Sequence, residues 1–430
     1  MTHAPSADRR TGLADLWSGV SADVRALLEE CLAGGRIELA GAVRLCGVHG
    51  ADLHALVAVA DQLRREQAGE RVTYVVNRNI NFTNLCVKAC KFCAFSRSNR
   101  SEEGYYLDHD EIVRRVLEAQ SFGATEVCIQ AGLPPRASRT VYLDLLRAVK
   151  RAAPAVHVHA FSPEEVKYGA SLAELSIEDY LIALKEEGLG SLPGTSAEIL
   201  DDAVRKRLAG GRITTAEWID VITTAHRIGL PTTATIMYGH IETDEQRMAH
   251  LFLLRSLQEQ TGGFTEIVPL SFVHTEAPMY LKDMLPGIRP GPTGNDVVRL
   301  MALCRLILGA SFRNLQTSWV KEGLRQAQWL LGCGANDIGG TLMNESISTS
   351  AGAQHGQLQS PRELRRVIRD AGRLPAERNT RYGILREFSL DGAGDPVDAL
   401  DRVEQPEAQF GSYQRLVGEA RLRRRPALTS

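Results

Sequence analysis

Three cysteines, Cys86, Cys90 and Cys93, crowd into eight positions within Asn81-Phe82-Thr83-Asn84-Leu85-Cys86-Val87-Lys88-Ala89-Cys90-Lys91-Phe92-Cys93. Thiolates at CxxxCxxC spacing can converge on one small inorganic centre. Structural zinc needs four closed ligands, commonly from two separated pairs. No nearby CxxC or HxxxH offers a fourth, and the nearest downstream histidine, His109, lies sixteen residues beyond Cys93. A four-iron cluster can take three cysteines and leave one iron open to a further ligand. The other five cysteines (Cys31, Cys46, Cys128, Cys304 and Cys333) stand singly among apolar neighbours and read as small core residues.

Further polar groups stand where short apolar runs end: His159 and Ser162; Tyr238, His240 and Glu242; Ser271 and His274; Gln316 and Ser318; Asn336 and Asp337. Each has a second reading. His159 and His240 are substrate-facing groups or barrel histidines satisfied by backbone. Glu242 is a site carboxylate or the ion-pair partner of Arg247. Asn336-Asp337 before Gly339-Gly340 binds a ligand or makes a turn. Gly262-Gly263 reads as a loop, since no P-loop lysine accompanies it. Trp319 and Trp329, ten residues apart, read as core.

The elements that must position these groups alternate from Arg71 onward. Strand-like runs at Val72–Asn79, Glu126–Gln130, Val156–Phe161, Gly188–Ser191, Thr232–Tyr238, Glu266–Phe272, Phe312–Ser318 and Asn336–Gly339 are separated by amphipathic helical stretches. Eight such runs predict parallel β-α units and an α/β fold, a (β/α)8 TIM-type barrel; a six-stranded partial barrel is the alternative. In a closed barrel the cysteine loop follows the first strand, on the face where barrel enzymes place their active sites. The predicted organisation is an N-terminal helical extension over 1–70, the barrel over 71–345 and a C-terminal cap segment over 346–389. Residues 390–430, ending in Arg421, Arg423, Arg424 and Arg425, are expected to form a polar, flexible tail.

Composition excludes other classes. With 430 residues, 44% of them apolar, the chain can bury a large core. Its 50 basic and 52 acidic residues give a net charge of −2, which argues against a phosphate-tracking nucleic-acid binder. No apolar run approaches the roughly 20 residues of a membrane span. Met1–Arg10 has no apolar segment of a secretory signal. A cytoplasmic protein is expected.

The CxxxCxxC motif, with Phe92 before the third cysteine, resembles the radical S-adenosylmethionine (SAM) superfamily. That resemblance implies a [4Fe-4S] cluster on Cys86, Cys90 and Cys93, whose open iron chelates the amino and carboxylate groups of SAM. It implies that Phe92 packs beside the adenine, and that the strand end Gln130-Ala131-Gly132 approaches SAM where the superfamily usually has Gly-Gly. Glu198 would position SAM; otherwise it is an exposed carboxylate early in a helix.

The blocks Asn77–Asn81, His157–Glu165, Met237–Thr243, Gln258–His274, Gln316–Lys321 and Gly334–Thr341 narrow the resemblance to the CofH family, the tyrosine-using subunits of FO synthase. The family implies transfer of the p-hydroxybenzyl group of L-tyrosine to carbon 5 of 5-amino-6-(D-ribitylamino)uracil. The radical from SAM starts the reaction, 2-iminoacetate is released, and an electron donor is required. His159, His240 and Glu242 are the catalytic candidates. A single CxxxCxxC implies a separate CofG-type subunit to close the deazaflavin ring. The competing readings are a menaquinone-pathway radical SAM enzyme (aminofutalosine synthase or dehypoxanthine futalosine cyclase) and a non-catalytic metal-binding scaffold.

Overall fold

The computed structural model describes residues 16–423. Met1–Arg10, Arg424 and Arg425 lie outside the described residues. The alternating pattern closes as a ring of parallel staves. The first is β1 (Arg71–Val75) continued by β2 (Asn77–Ile80), then come β3 (Glu126–Ile129) and β4 (His157–Ala160). β2 pairs with β3 and β3 with β4, with Asn79, Cys128 and His159 in register. β5 (Thr232–Tyr238) pairs with β6 (Phe264–Ser271). β7 (Asp337–Gly340) returns to β1.

The fourth and seventh runs are reduced to single bridges. Ser191 and Leu192 link His159 to Thr232, and Leu315 and Gln316 link Ile267 to Asp337. With these two the ring has its eight staves, as the sequence predicts. The fourth run is short for local reasons. Gly190 lies where a Cβ would sit 2.5 Å from the His157 ring, and Pro193 has no N–H for a ladder.

Helices begin where side chains can satisfy their first N–H groups. Ser162 and Glu165 form a reciprocal capping box on the helix Pro163–Ala173, and Thr243 and Gln246 do so on Asp244–Thr261. The expected N-terminal helices are present as Ala22–Leu32, Leu39–Cys46 and Gly50–Ala68. Arg299 and Arg305 of the helix Gly294–Leu308 tie it to this layer by donating to the Val48 carbonyl and to Gln67.

Three features depart from the sequence reading. First, β8 (Leu374–Arg378) pairs parallel with β1 and is followed by antiparallel β9 (Ile384–Glu387). Pro375 and two charged residues in five hide this strand, which survives because the ladder it joins is already built. Second, the described part of the polar tail is docked: Leu400, Phe410, Leu416 and Leu422 are buried. Asp395, Asp398 and Asp401 surround the buried Arg365, and the Tyr106 N–H donates to the Leu422 carbonyl. A polar composition needs only these few apolar anchors to dock, which a compositional reading averages away. Third, Trp319 is core but Trp329 is 64% exposed, because a break at Gly323 re-aims the second part of their helix. No helix among the described residues is long and apolar enough to cross a membrane.

Candidate active site

A cavity of about 390 Å³ occupies the barrel axis and carries Cys86, Cys90, Cys93 and Phe92 on its wall. The loop that brings them there is pinned by its backbone. The Cys86 N–H donates to the Arg97 carbonyl, the Arg97 N–H to Asn84, and the Val87 N–H to Leu133 beyond β3. Thr83 Oγ1 donates to the Tyr105 carbonyl, and the Tyr105 N–H to Asn84 Oδ1. Gly132 is needed for this packing. A Cβ there would lie 2.3 Å from the Leu85 carbonyl oxygen and 3.1 Å from Cys86 Cβ. The glycine at this strand end therefore admits the backbone of the cysteine loop itself.

All three thiols are free and half-buried. Burial pushes Cys90 up to about 12, against the opposing pull of Arg212, and it raises Cys86 as well. Among the described residues no group of three or more His, Cys, Asp or Glu stands in the geometry that holds a metal ion. The donor set nevertheless fits a cluster: three free thiols from one pinned loop face one cavity. Iron would displace their protons, as a bound metal does to a coordinating thiol.

Around this loop stands a fixed set of charges. Arg212 lies over the Phe92 ring at 5.6 Å, pairs with Glu198 and Glu164, and donates to Ser196 Oγ at 2.6 Å. Burial works against its charge, but Glu198, Cys90 and Glu164 outweigh it and raise its pKa. Gln130 Oε1 accepts from Thr195 Oγ1 at 2.8 Å, and its amide reaches Cys128 Sγ at 3.4 Å. Cys128 thus lines the cavity rather than the core. Glu165, raised to about 7 by burial, accepts from the N–H groups of Ala131 and Ser162 and fixes the end of β3.

Deeper in the barrel the inward positions are polar. Many barrel interiors are filled by layers of branched apolar side chains; here Asn77, Glu126, His159, Thr233, Glu266 and Gln316 line open space. His159 Nδ1 lies 2.7 Å from Ser191 Oγ, and burial lowers the histidine's pKa while Glu126 opposes it. Arg378 from β8 closes the floor, bound to Asp337 and facing Glu266. Glu266, lifted to about 7 by burial, also accepts from the Tyr382 hydroxyl.

Of the residues singled out in the sequence, Cys86, Cys90, Cys93, Phe92, Gln130, Gly132, Glu198 and His159 share this cavity. His240 and Glu242 do not line it. Both are buried in the turn after β5. The His240 ring meets the Met237 carbonyl and the Ile241 N–H. Glu242 accepts from the N–H groups of Gly239 and His240 and pairs with Arg247 and Arg289 at 2.8 and 2.7 Å. The alternative reading of Glu242 as the partner of Arg247 is the one the geometry supports. Asn336 is likewise occupied, by Arg305 and the Leu315 N–H.

The sequence reading missed Arg212, Glu165, Glu266, Lys321, Glu345 and Arg378, all on the cavity wall. Glu165 is disguised as the last member of a capping box. Arg378 lies on a strand that pattern alone does not show. Glu266 carried a signal: a lone carboxylate inside an otherwise apolar barrel strand.

Residues 80–254 match the model of the radical SAM superfamily, and residues 261–390 that of the CofH/MqnC C-terminal region. The chain is 51% identical to the 5-amino-6-(D-ribitylamino)uracil–L-tyrosine 4-hydroxyphenyl transferase of Methanothermobacter thermautotrophicus, over 79% of this chain and 92% of that protein. It is 50% identical to the protein of the same name in Methanocaldococcus jannaschii, over 77% and 92%. An FO synthase of Nocardia farcinica is 50% identical over 79% of this chain but only 39% of its own length. Among solved structures, the [FeFe]-hydrogenase maturase HydG superposes with a TM-score of 0.65 at 18% identity, over 86% of this chain and 79% of that one. Methylornithine synthase gives 0.60 at 17%, over 80% and 95%. These two likenesses concern the fold.

Proposed function

We infer from one premise, that this chain belongs to the 4-hydroxyphenyl transferase (CofH) family of the radical SAM superfamily, that it transfers the 4-hydroxybenzyl group of L-tyrosine to 5-amino-6-(D-ribitylamino)uracil. The observation that carries the reading is the identity of about half the residues over 92% of the length of relatives that bear this activity in their name. The cavity supports it: three free thiols stand at one end and a dense polar lining at the other, as a zwitterion and a polyhydroxylated uracil require.

The superfamily implies a [4Fe-4S] cluster and SAM, which together supply a carbon-centred radical when an electron arrives. In this reading Cys86, Cys90 and Cys93 hold the cluster, and Phe92, Gln130 and Glu198 border SAM. Arg212 positions Phe92 and Glu198 through its stacking and its ion pair. Gly132 and Glu165 hold the cysteine loop and the β3 end at their spacing. His159, neutral in its buried setting, can pass a proton or orient a hydroxyl at Nε2 while Nδ1 is engaged with Ser191. His240 and Glu242 act at a distance, by fixing the turn that ends β5. The enclosed barrel keeps water from reactive carbon centres.

Ring closure falls to a separate CofG-type subunit. FO synthases of which this chain spans only 39–40% leave length for such a second unit. A cytoplasmic setting with a strong reductant suits the eight unpaired cysteines and a low-potential cluster.

The test is an anaerobic assay of reconstituted protein with SAM, dithionite, L-tyrosine and the ribitylaminouracil, read by mass spectrometry. Hydroxybenzyl–uracil adduct together with 5′-deoxyadenosine is expected. Deoxyadenosine without adduct from these substrates would overturn the substrate assignment, and no deoxyadenosine from protein with an intact cluster would overturn the radical reading.

A further inference from the structure

Four long cationic side chains line the cavity: Lys88, Arg212, Lys321 and Arg378. Three are committed. Lys88 pairs with Glu164, Arg212 with Glu198 and Glu164, and Arg378 with Asp337. Among the described residues Lys321 is the member of the set whose ammonium makes neither a hydrogen bond nor an ion pair. It stands two residues before the break at Gly323, where the backbone turns to φ +75°. Burial lowers its pKa, and the charges that oppose this are Glu345 first, then Glu322, Cys93 and Glu198. Glu322 is spent on Ser271.

Glu345 is the counterpart. It is 4% exposed, lines the same cavity and accepts from the Ser348 and Thr349 N–H groups. Burial raises its pKa, and Lys321 together with these backbone N–H groups opposes that rise. A carboxylate has about four acceptor sites, so it can still accept from a donor in the cavity. Lys321 and Glu345 therefore face one space, feel each other's charge and do not pair. An uncommitted cation and a carboxylate bonded only to backbone N–H groups, facing one cavity, match a molecule carrying both opposite charges on one carbon. Val268, Leu270 and Leu342 line the same cavity and give an apolar wall to an attached side chain.

We propose that Lys321 and Glu345 form a clamp for the zwitterionic head of a free α-amino acid, Lys321 taking the carboxylate and Glu345 the ammonium. The clamp rests on the L-tyrosine reading above, and it assigns two substrate-binding residues that the strand-end candidates did not include. Replacing Lys321 leaves Glu345 and the substrate carboxylate facing each other, so the loss falls on the amino acid.

The experiment measures L-tyrosine and tyramine, which lacks the carboxylate, on anaerobic holoenzyme with SAM. Equilibrium calorimetry gives Kd, and adduct formation gives KM. For K321M the Kd and KM of L-tyrosine should rise about 100-fold, the scale of a buried charge-assisted hydrogen bond. The KM of SAM should stay within about twofold, and K321R should recover part of the loss. Tyramine should bind the wild type about 100-fold more weakly than L-tyrosine, and that gap should close to about fivefold or less in K321M. A closing gap cannot come from misfolding, which would weaken both ligands together. An unchanged preference in K321M, or a rise in the KM of SAM in place of that of L-tyrosine, would overturn the clamp. Wild-type holoenzyme that cleaves SAM but does not bind L-tyrosine would overturn the substrate reading, and the clamp with it.

Discussion

Gly132→Ala concentrates the structural argument on one methyl group. Its Cβ would lie 2.3 Å from the Leu85 oxygen, 2.8 Å from the Leu85 carbonyl carbon and 3.1 Å from Cys86 Cβ. Two of these three atoms are backbone, so no rotamer change relieves the contact. The loop or the β3 end must shift by roughly an ångström to reach ordinary contact distance. Overpacking of this kind costs about 1–3 kcal/mol, and the backbone neighbours put G132A toward the upper end. For a chain of this size that is a fall in Tm of about 1–3 °C. The displaced atoms include Cys86, so the larger effect should fall on cluster loading. Gly210→Ala is the control, since its nearest neighbour is Lys206 O at 3.5 Å and its φ is −54°. Thermal unfolding of the apoproteins, followed by iron and sulfide content after anaerobic reconstitution, should show G132A impaired in both and G210A impaired in neither. Wild-type Tm and iron content in G132A would refute the claim that this glycine exists to admit the cysteine loop.

Ala at Cys86, Cys90 or Cys93 should abolish iron retention and SAM cleavage while far-UV circular dichroism stays native; retained cleavage in all three would remove the cluster assignment. Arg378→Met leaves Asp337 buried without its partner and should cost about 3–5 kcal/mol in urea unfolding, much of it regained when Asp337→Asn is added. Glu242 is held at about 2, because His240, Arg247 and Arg289 outweigh burial. Its folded pKa lies below the unfolded value of about 4.5, so its stabilisation is present above that value and lost as pH falls toward 2. That amounts to ~3 kcal/mol, and stability measured from pH 6 to 3 should fall less steeply in E242Q than in the wild type. Truncation after Leu390 removes Phe410, Tyr413 and Leu422 from buried positions and should lower stability and impair cluster retention, assayed by proteolysis and iron content.

The cysteine loop and the eight staves were legible because both are local patterns: a spacing of soft donors, and alternating apolar runs. Even the two staves reduced to single bridges, at Ser191 and Leu315, announced themselves by position. What escaped depends on distant partners. β8 has an unpromising Leu-Pro-Ala-Glu-Arg sequence and exists because β1 offers it an edge 303 residues away. Lys321 and Glu345 meet only when the seventh and eighth staves close. His240 and Glu242 show the reverse error. A polar cluster at a strand end suggests chemistry, yet two backbone N–H groups and two arginines already claim the Glu242 carboxylate. Composition misled for the tail, where docking depends on a handful of apolar side chains rather than on the average.

That docked tail has a consequence for how the protein is made. Tyr413 lies against Phe95 at 5.8 Å and under Arg97 at 6.0 Å, and the Arg97 carbonyl is the acceptor that holds the Cys86 N–H. Arg71 of β1 is in register with Leu374 of β8, and Tyr105 bridges Arg423. The first stave and the loop after it therefore cannot reach their final state until residues 374–423 have been made. With synthesis at about 5–20 residues per second, the early strands wait tens of seconds for their partners. Iron delivery to the finished loop must therefore wait until these late segments have been made and docked.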